Sequence, residues 1–243
     1  MLDYVDEFVP RSLKQLQDWL NEHYGISVKT GVLGRILRQS DYVYKRMRIS
    51  MKQQRDQELF EFFKKEIDLL HQDEAKGLLD VYYFDETGIN LSPVVPYGWQ
   101  KKGETHQLSS LPSKNHTIVG FMNKACDFYG FRFEGAANAQ TTIKCMDIFA
   151  EQINKKTVVI IDNASIHKAQ LVMEKAKLWK QKGLYLQFIP AYSPELNLIE
   201  RLWLEMKYRW VNKPGYFDDV YELEKQIDDV IRNIGTKYTV NFN

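Results

Sequence analysis

The stretch TVVIIDNASIH, residues 157–167, decides the fold. Five β-branched residues in a row, Thr157 to Ile161, read as a strand, and the run stops at a carboxylate, Asp162. Working upstream, a helix is expected over Thr141–Gln152. Before it come strands over Phe128–Phe133 and Thr117–Met122, joined by the turn-like Asn123–Asp127, and a β-branched and aromatic strand over Leu79–Phe84 that delivers Asp85. Downstream, a helix near Lys168–Lys182, a strand at Leu184–Ile189 and a helical stretch from about Asn197 to Trp210 follow. Strands come first as a meander and then alternate with helices. That order predicts an α/β domain in which a mixed sheet is flanked by helices on both faces.

The front of the chain reads differently. Ser12 is placed to cap a helix carrying Leu13, Leu16 and Leu20 at helical spacing, with Gly25 to end it. Ser27 is placed to cap a second helix with Val28, Val32 and Ile36 on one face. From Ser27 to Lys52 there are seven basic residues (Lys29, Arg35, Arg38, Lys45, Arg46, Arg48, Lys52) against one acid, Asp41, within a chain whose net charge is only +1. Two short helices around a Gly-containing turn, the second one basic, suit a helix-turn-helix; an ordinary helical hairpin with a solvated basic face accounts for the pattern equally well. A longer amphipathic helix over Met51–Leu70, with Phe60, Phe63, Ile67 and Leu70 on its core side, would connect this region to the sheet. The expected organisation is a partial helix-turn-helix region at 1–50, a linker helix at 51–74 and a catalytic domain at 75–243.

Composition narrows the class. With 243 residues, 44% of them hydrophobic and 13% aromatic, the chain can bury a full core. No apolar run approaches the roughly 20 residues of a membrane span, and the acidic N-terminus is unlike a signal peptide, so a cytoplasmic protein is expected. Cys126 and Cys145 lie in no Cys-x-x-Cys or Cys/His cluster and read as buried small hydrophobes.

Three acids stand where elements begin or end: Asp85, Asp162 and Glu200. Carboxylates at strand ends are rigidly held and can converge at the rim of a sheet. Magnesium and manganese accept oxygen ligands, and three convergent carboxylates suit two such ions about 3.5–4 Å apart. Each acid also has a local explanation. Asp85 opens Asp-Glu-Thr-Gly, a strand-to-turn sequence; Asp162-Asn163 suits an Asx-turn; Glu200, three residues after Asn197, suits a capping box.

Four motifs carry a family resemblance over about Val81–Trp210: FDETG at 84–88, GWQKKG at 98–103, IDNASIH at 161–167 and PAYSPELNLIERLW at 190–203. In this order they resemble the DDE transposases of the Tc/mariner superfamily and their bacterial insertion-sequence relatives. The step from Asp162 to Glu200, 200 − 162 = 38, suits that family. The resemblance implies an RNase H-like fold, metal ligation by Asp85, Asp162 and Glu200, and two magnesium or manganese ions. It further implies metal-dependent cleavage of phosphodiesters at element ends and strand transfer into target DNA. The implied partners are double-stranded DNA, as terminal inverted repeats and target, and a second copy of the chain on that DNA; the implied location is the bacterial nucleoid.

Two features depart from the pattern. Leu198 stands where the family has proline, and only one helix-turn-helix candidate fits ahead of Met51 where the family has two. A truncated, non-catalytic DNA-binding relative and an RNase H-like nuclease without joining activity are therefore the alternatives.

Around the triad, Glu86 is a spare carboxylate expected to point away from Asp85, because neighbouring strand residues face opposite sides. His167 suits either phosphate positioning or a structural role, and Asn163 suits a hydrogen bond that orients a ligand. Trp99, Trp203 and Trp210 are candidates for stacking on bases, although Ile199, Trp203, Met206 and Trp210 share a helix face that suits the core better. Lys101, Lys102, Arg201, Lys207 and Arg209 flank the centre as candidate phosphate contacts.

Overall fold

The computed structural model of the chain describes residues 1–44, 54–89, 116–211 and 220–242, which fall into two compact units, Met1–Ser50 and Met51–Asn243. In the first unit, α1 (Leu2–Phe8), α2 (Leu13–Tyr24) and α3 (Thr30–Gln39) bury Val5, Leu16, Leu20 and Leu33 against one another. Ser12 caps α2 by accepting from the Gln15 amide at 3.1 Å, and Gly25 ends it in the left-handed conformation, as expected. α3 departs from expectation. It starts after Lys29 and not at Ser27, and its inward side is Leu33, Gly34 and Leu37, while Val32 and Ile36 face outward. The cap falls two residues later than expected, and the inward stripe is the one that packs on Leu16 and Leu20.

The second unit is built on a five-stranded sheet, order β3-β2-β1-β4-β5. Its strands are β1 (Asp80–Ile89), β2 (His116–Met122), β3 (Phe128–Glu134), β4 (Thr157–Ile161) and β5 (Leu184–Phe188). β1, β2 and β3 pair antiparallel; β1, β4 and β5 pair parallel. The sheet is thus mixed, with β1 as the strand where the two halves meet.

Alternation along β1 sorts the core into two layers. Val81, Tyr83 and Ile89 face one side, where α4 (Gln57–Ala75), α7 (Ile199–Glu205) and α8 (Val220–Asn233) bury Ile67, Ile199, Leu202, Trp203, Leu223 and Ile227. Tyr82 and Phe84 face the other, against Met146 and Phe149 of α5 (Ala139–Ala150) and Val172 and Trp179 of α6 (Gln170–Gln181). Both cysteines are free and buried in these layers. The 51–74 stretch read as a linker belongs to the sheet unit: Asp56 caps α4 through the Leu59 amide, and Phe60, Phe63, Ile67 and Leu70 pack on the core. α4 outruns its expected end because His71 bonds both Glu74 and the Tyr83 hydroxyl, at 2.8 and 2.7 Å.

β1 is also longer than expected. It runs four residues past Asp85, so Asp-Glu-Thr-Gly is strand and not turn. Pairing with β2 sustains it, and there Asp85 lies opposite Gly120. A Cβ on Gly120 would come within 2.9 Å of the Trp203 ring and 2.5 Å of Phe128, so the bare backbone lets the indole lie flat against the sheet beside Asp85. Gly120→Val should therefore overpack this layer and destabilise the unit by about 1–3 kcal/mol. Urea unfolding followed by tryptophan fluorescence reads this directly, and an unchanged midpoint would contradict the packing described.

Candidate active site

Strand register brings the first two carboxylates together. β1 and β4 pair as Tyr83↔Ile160, and continuing that parallel register by two residues sets Asp85 beside Asp162 at the point where β4 ends. Paired positions on neighbouring parallel strands share a face and lie about 4.8 Å apart. Glu200 arrives from the first turn of α7, on the same side of the sheet. Its capping-box role is not realised: α7 has no side-chain cap, and Asn197 instead donates its amide to the Phe84 carbonyl at 3.0 Å, pinning the start of α7 to β1. Asp162 does form the Asx-turn, accepting from the Ala164 amide at 3.0 Å, so its local and chemical readings coexist.

Each of the two aspartates is held by a side chain that the core also needs. Trp203, 3% exposed, donates its indole N–H to Asp85 Oδ2 at 3.0 Å; it is a core residue and an orienting donor at once, and not a stacking platform. Trp210 packs against Tyr238. His167, 1% exposed, places Nδ1 2.6 Å from Asp162 Oδ1 and Nε2 3.1 Å from Glu86 Oε2. Glu86 does face the opposite side of the sheet from Asp85, but it is partly buried in this ion pair and does not project into solvent.

The electrostatics follow from these contacts. Burial pushes the Asp85 carboxyl up to about 8, helped by the charges of Glu200, Glu86 and Asp162 against one opposing backbone N–H. Glu200 is raised by burial and by Asp162, with Lys207 working the other way. Burial opposes ionisation of Asp162 as well, yet the His167 hydrogen bond, the Ala164 amide and the imidazolium charge outweigh it and hold it below the ordinary range. Burial likewise disfavours His167 as a cation, but its two carboxylate partners raise it to about 9.

Asp162 and Glu200 line a cleft of about 210 Å³ together with Asn163, Asn197 and the loop Ile189–Pro194. The amide oxygens of Asn163 and Asn197 are buried there without a donor among the described residues. An all-oxygen set of mutually repelling carboxylates fits a hard divalent cation. Among the described residues, no three His, Cys, Asp or Glu side chains close around a single point as a preformed metal cage. Asp85 is turned to Trp203 and Asp162 to His167, and a magnesium site needs only one or two carboxylates beside waters and substrate phosphates.

Of the candidate DNA contacts, Lys29, Arg35 and Arg38 are exposed on or beside α3, and Arg201 and Lys207 are exposed on α7 and its continuation. The π-helical turn Met206–Trp210 also exposes Arg209. Lys45, Arg46, Arg48, Trp99, Lys101 and Lys102 lie outside the described residues.

The pH dependence of stability separates the two aspartates. With its folded value raised above the ordinary 3.8, Asp85 loses the chain stability as pH rises from about 4 through about 8. Asp85→Asn should therefore raise the thermal midpoint of the metal-free protein, more at pH 8 than at pH 5. His167, raised from 6.5, contributes stability that is complete below about 6.5 and lost as pH rises through about 9, and His167→Gln should remove it. Thermal melts of both variants between pH 5 and 9 check this; an Asp85→Asn protein less stable than the parent at pH 8 would overturn the assignment.

Known proteins place this geometry. The insertion element IS630 uncharacterized 39 kDa protein of Shigella sonnei is 27% identical over 139 residues, covering 54% of this chain and 38% of that protein's length, so the match spans well under half of the relative. Among solved structures, the Mos1 strand transfer complex superposes with a TM-score of 0.67 at 18% identity, over 95% of this chain and 69% of that one. The Mos1 mariner paired end complex with Mn gives 0.66 at 17%, over 95% and 70%. At such identities the likeness shows the fold, the RNase H-like arrangement expected from the motifs. The profile of the DDE superfamily endonucleases matches residues 80–224, which include β1, β4, α7 and all three carboxylates, and the chain belongs to that family.

Proposed function

We propose that this chain is the catalytic part of a Tc/mariner-type DNA transposase that cuts phosphodiesters at the ends of a mobile element and transfers the strands into target DNA. The observation that carries this reading is that Asp162 and Glu200 line one cleft while β1, paired with β4 as far as Tyr83 and Ile160, carries Asp85 two residues beyond that pairing, all inside the segment that matches the endonuclease family. Asp85, Asp162 and Glu200 are the proposed ligands of two magnesium or manganese ions. When bound there, such ions supply an activated oxygen nucleophile and Lewis-acid stabilisation of the leaving oxygen.

The chain's own residues do the rest. Trp203 fixes the Asp85 carboxylate through Oδ2, and His167 holds Asp162 ionised and fixed in rotamer. Glu86 keeps His167 protonated from the far side of the sheet. Lys207 and Arg201 on the α7 side are placed to take phosphate charge, and Lys29, Arg35 and Arg38 offer an exposed basic face in the first unit for duplex DNA. Pairing two element ends calls for a homodimer on DNA, and a nucleoid location follows from that substrate. No helix among the described residues is long and apolar enough to cross a membrane.

Two experiments test this. A supercoiled plasmid carrying the parent element's ends should be cut at those ends in magnesium or manganese, and Asp162→Asn should abolish cutting while leaving DNA binding in place. Cutting by Asp162→Asn at the native rate would contradict the site. If a 3′-hydroxyl end is never joined to a target duplex although cleavage is intact, the chain is a nuclease without transfer activity. Second, the affinity for random duplex should fall with salt, and Lys29→Ala, Arg35→Ala and Arg38→Ala together should flatten the log–log slope by roughly one unit for each phosphate no longer neutralised. An unchanged slope would remove the first unit from the interface.

A further inference from the structure

Tyr192 is the residue in the cleft that stability does not explain. It sits in the loop Ile189–Pro194 with φ of +58°, a left-handed conformation that disfavours a bulky side chain. The residue is 44% exposed, and its hydroxyl makes no hydrogen bond to a described residue, so neither burial nor pairing offsets that strain. The loop around it imposes the conformation. Ile189 donates to the Ile161 carbonyl at 2.9 Å, the buried Ser193 hydroxyl bonds the Ala191 carbonyl, the Leu196 amide bonds Ser193, and Pro190 and Pro194 stiffen both flanks. Strain that the surroundings enforce, at the lip of a cleft holding two of the three carboxylates, points to use by a ligand.

The ligand's chemistry follows from what else lines the cleft. The buried amide oxygens of Asn163 and Asn197 are acceptors with no donor among the described residues, while the exposed Tyr192 at the cleft offers an aromatic side chain for stacking. A nucleobase drawn out of its stack offers both a π-face and N–H donors, whereas a phosphate offers neither. Trp203, in the same motif, and Trp210, beyond it, are committed to the core and leave this task to Tyr192.

We propose that Tyr192 is a positioning residue that stacks on an unpaired base next to the scissile phosphate, so that the cleft takes locally opened DNA. This rests on the nucleic-acid reading of the same site. The step involves no covalent change: the base leaves its neighbours in the strand and is held against the phenol ring while the phosphate lies at the carboxylates.

The test uses the full chain with two fluorescein-labelled 12-nucleotide probes, a mixed-sequence single strand and an abasic strand of identical backbone, read by anisotropy in manganese. The native chain should bind the base-bearing strand more tightly than the abasic one. Tyr192→Ala should weaken the base-bearing strand about tenfold, within the range of a single base–aromatic stack, and leave the abasic strand unchanged. Tyr192→Phe should bind like the native chain. Tyr192→Gly, relieved of backbone strain, should melt higher than the native chain while binding as poorly as Tyr192→Ala, a combination that a merely structural residue would not give. Equal binding of the base-bearing strand by native and Tyr192→Ala chains overturns the inference and leaves the nucleic-acid reading standing. Loss of binding in Tyr192→Phe overturns stacking in favour of the hydroxyl. If the native chain binds neither strand, the nucleic-acid reading of the cleft fails and the inference falls with it.

Discussion

Like charges brought together at the end of a parallel strand pair are the constraint on which the rest of this structure depends. The β1–β4 register, continued two residues past Tyr83 and Ile160, directs Asp85 and Asp162 to the same end and face of the sheet, and Glu200 is added from α7. The charges of Glu200, Glu86 and Asp162 bear on the buried Asp85, while Asp162, more open to solvent, is governed by His167. Asp162 is given a buried imidazolium and a backbone amide and stays ionised; Asp85 is given one indole N–H and is driven toward its protonated form. Two aspartates of identical chemistry are thereby pushed in opposite directions by their surroundings.

The support for this arrangement runs through both layers of the core. Trp203 reaches Asp85 only because Gly120, its register partner on β2, has no side chain to lift the indole away. His167 reaches Asp162 from the other layer, where it lies edge-on to Phe84 and is anchored by Glu86. Asn197 ties α7 to the Phe84 carbonyl, one residue before Asp85. Site geometry and hydrophobic packing are here the same set of contacts, so a change in either layer is felt at the carboxylates. The family to which the chain belongs and the fold it shares with Mos1 fit this economy of parts.

Much of this is legible in the residues themselves. Runs such as Thr157–Ile161, with β-branching at every position, and the capped helix behind Ser12 carry their structure locally. The three carboxylates are legible through motif order and spacing. What cannot be read is whatever tertiary pairing decides. β1 continues past Asp85 because β2 is there to pair with it, although Thr87-Gly88 alone suggests a turn. The inward face of α3 is chosen by Leu16 and Leu20 and not by the Val28-Val32-Ile36 spacing. Asn197 and Glu200 look like a capping box three residues apart, but the Asn197 side chain is turned to donate to the Phe84 carbonyl, and the Glu200 amide bonds the Asn197 backbone carbonyl instead of its side chain. Helices α1 and α8 escape a reading by motif, although the i, i+4, i+7 spacing of Leu223, Ile227 and Val230, which α8 buries on the sheet, is a helical one. The strain at Tyr192 has no sequence signature, because a tyrosine flanked by two prolines does not reveal whether its φ is positive.

The most direct test of the central claim is calorimetric titration of manganese into the protein at pH 7 in two buffers of different ionisation enthalpy, comparing the native chain with Asp85→Asn. Since Asp85 titrates near 8 without a cation, binding of the metal at this site must expel its proton. The account predicts proton release approaching one per site in the native chain, absent in Asp85→Asn. Manganese binding with no difference in proton release between the two would show that Asp85 is not where the cation goes.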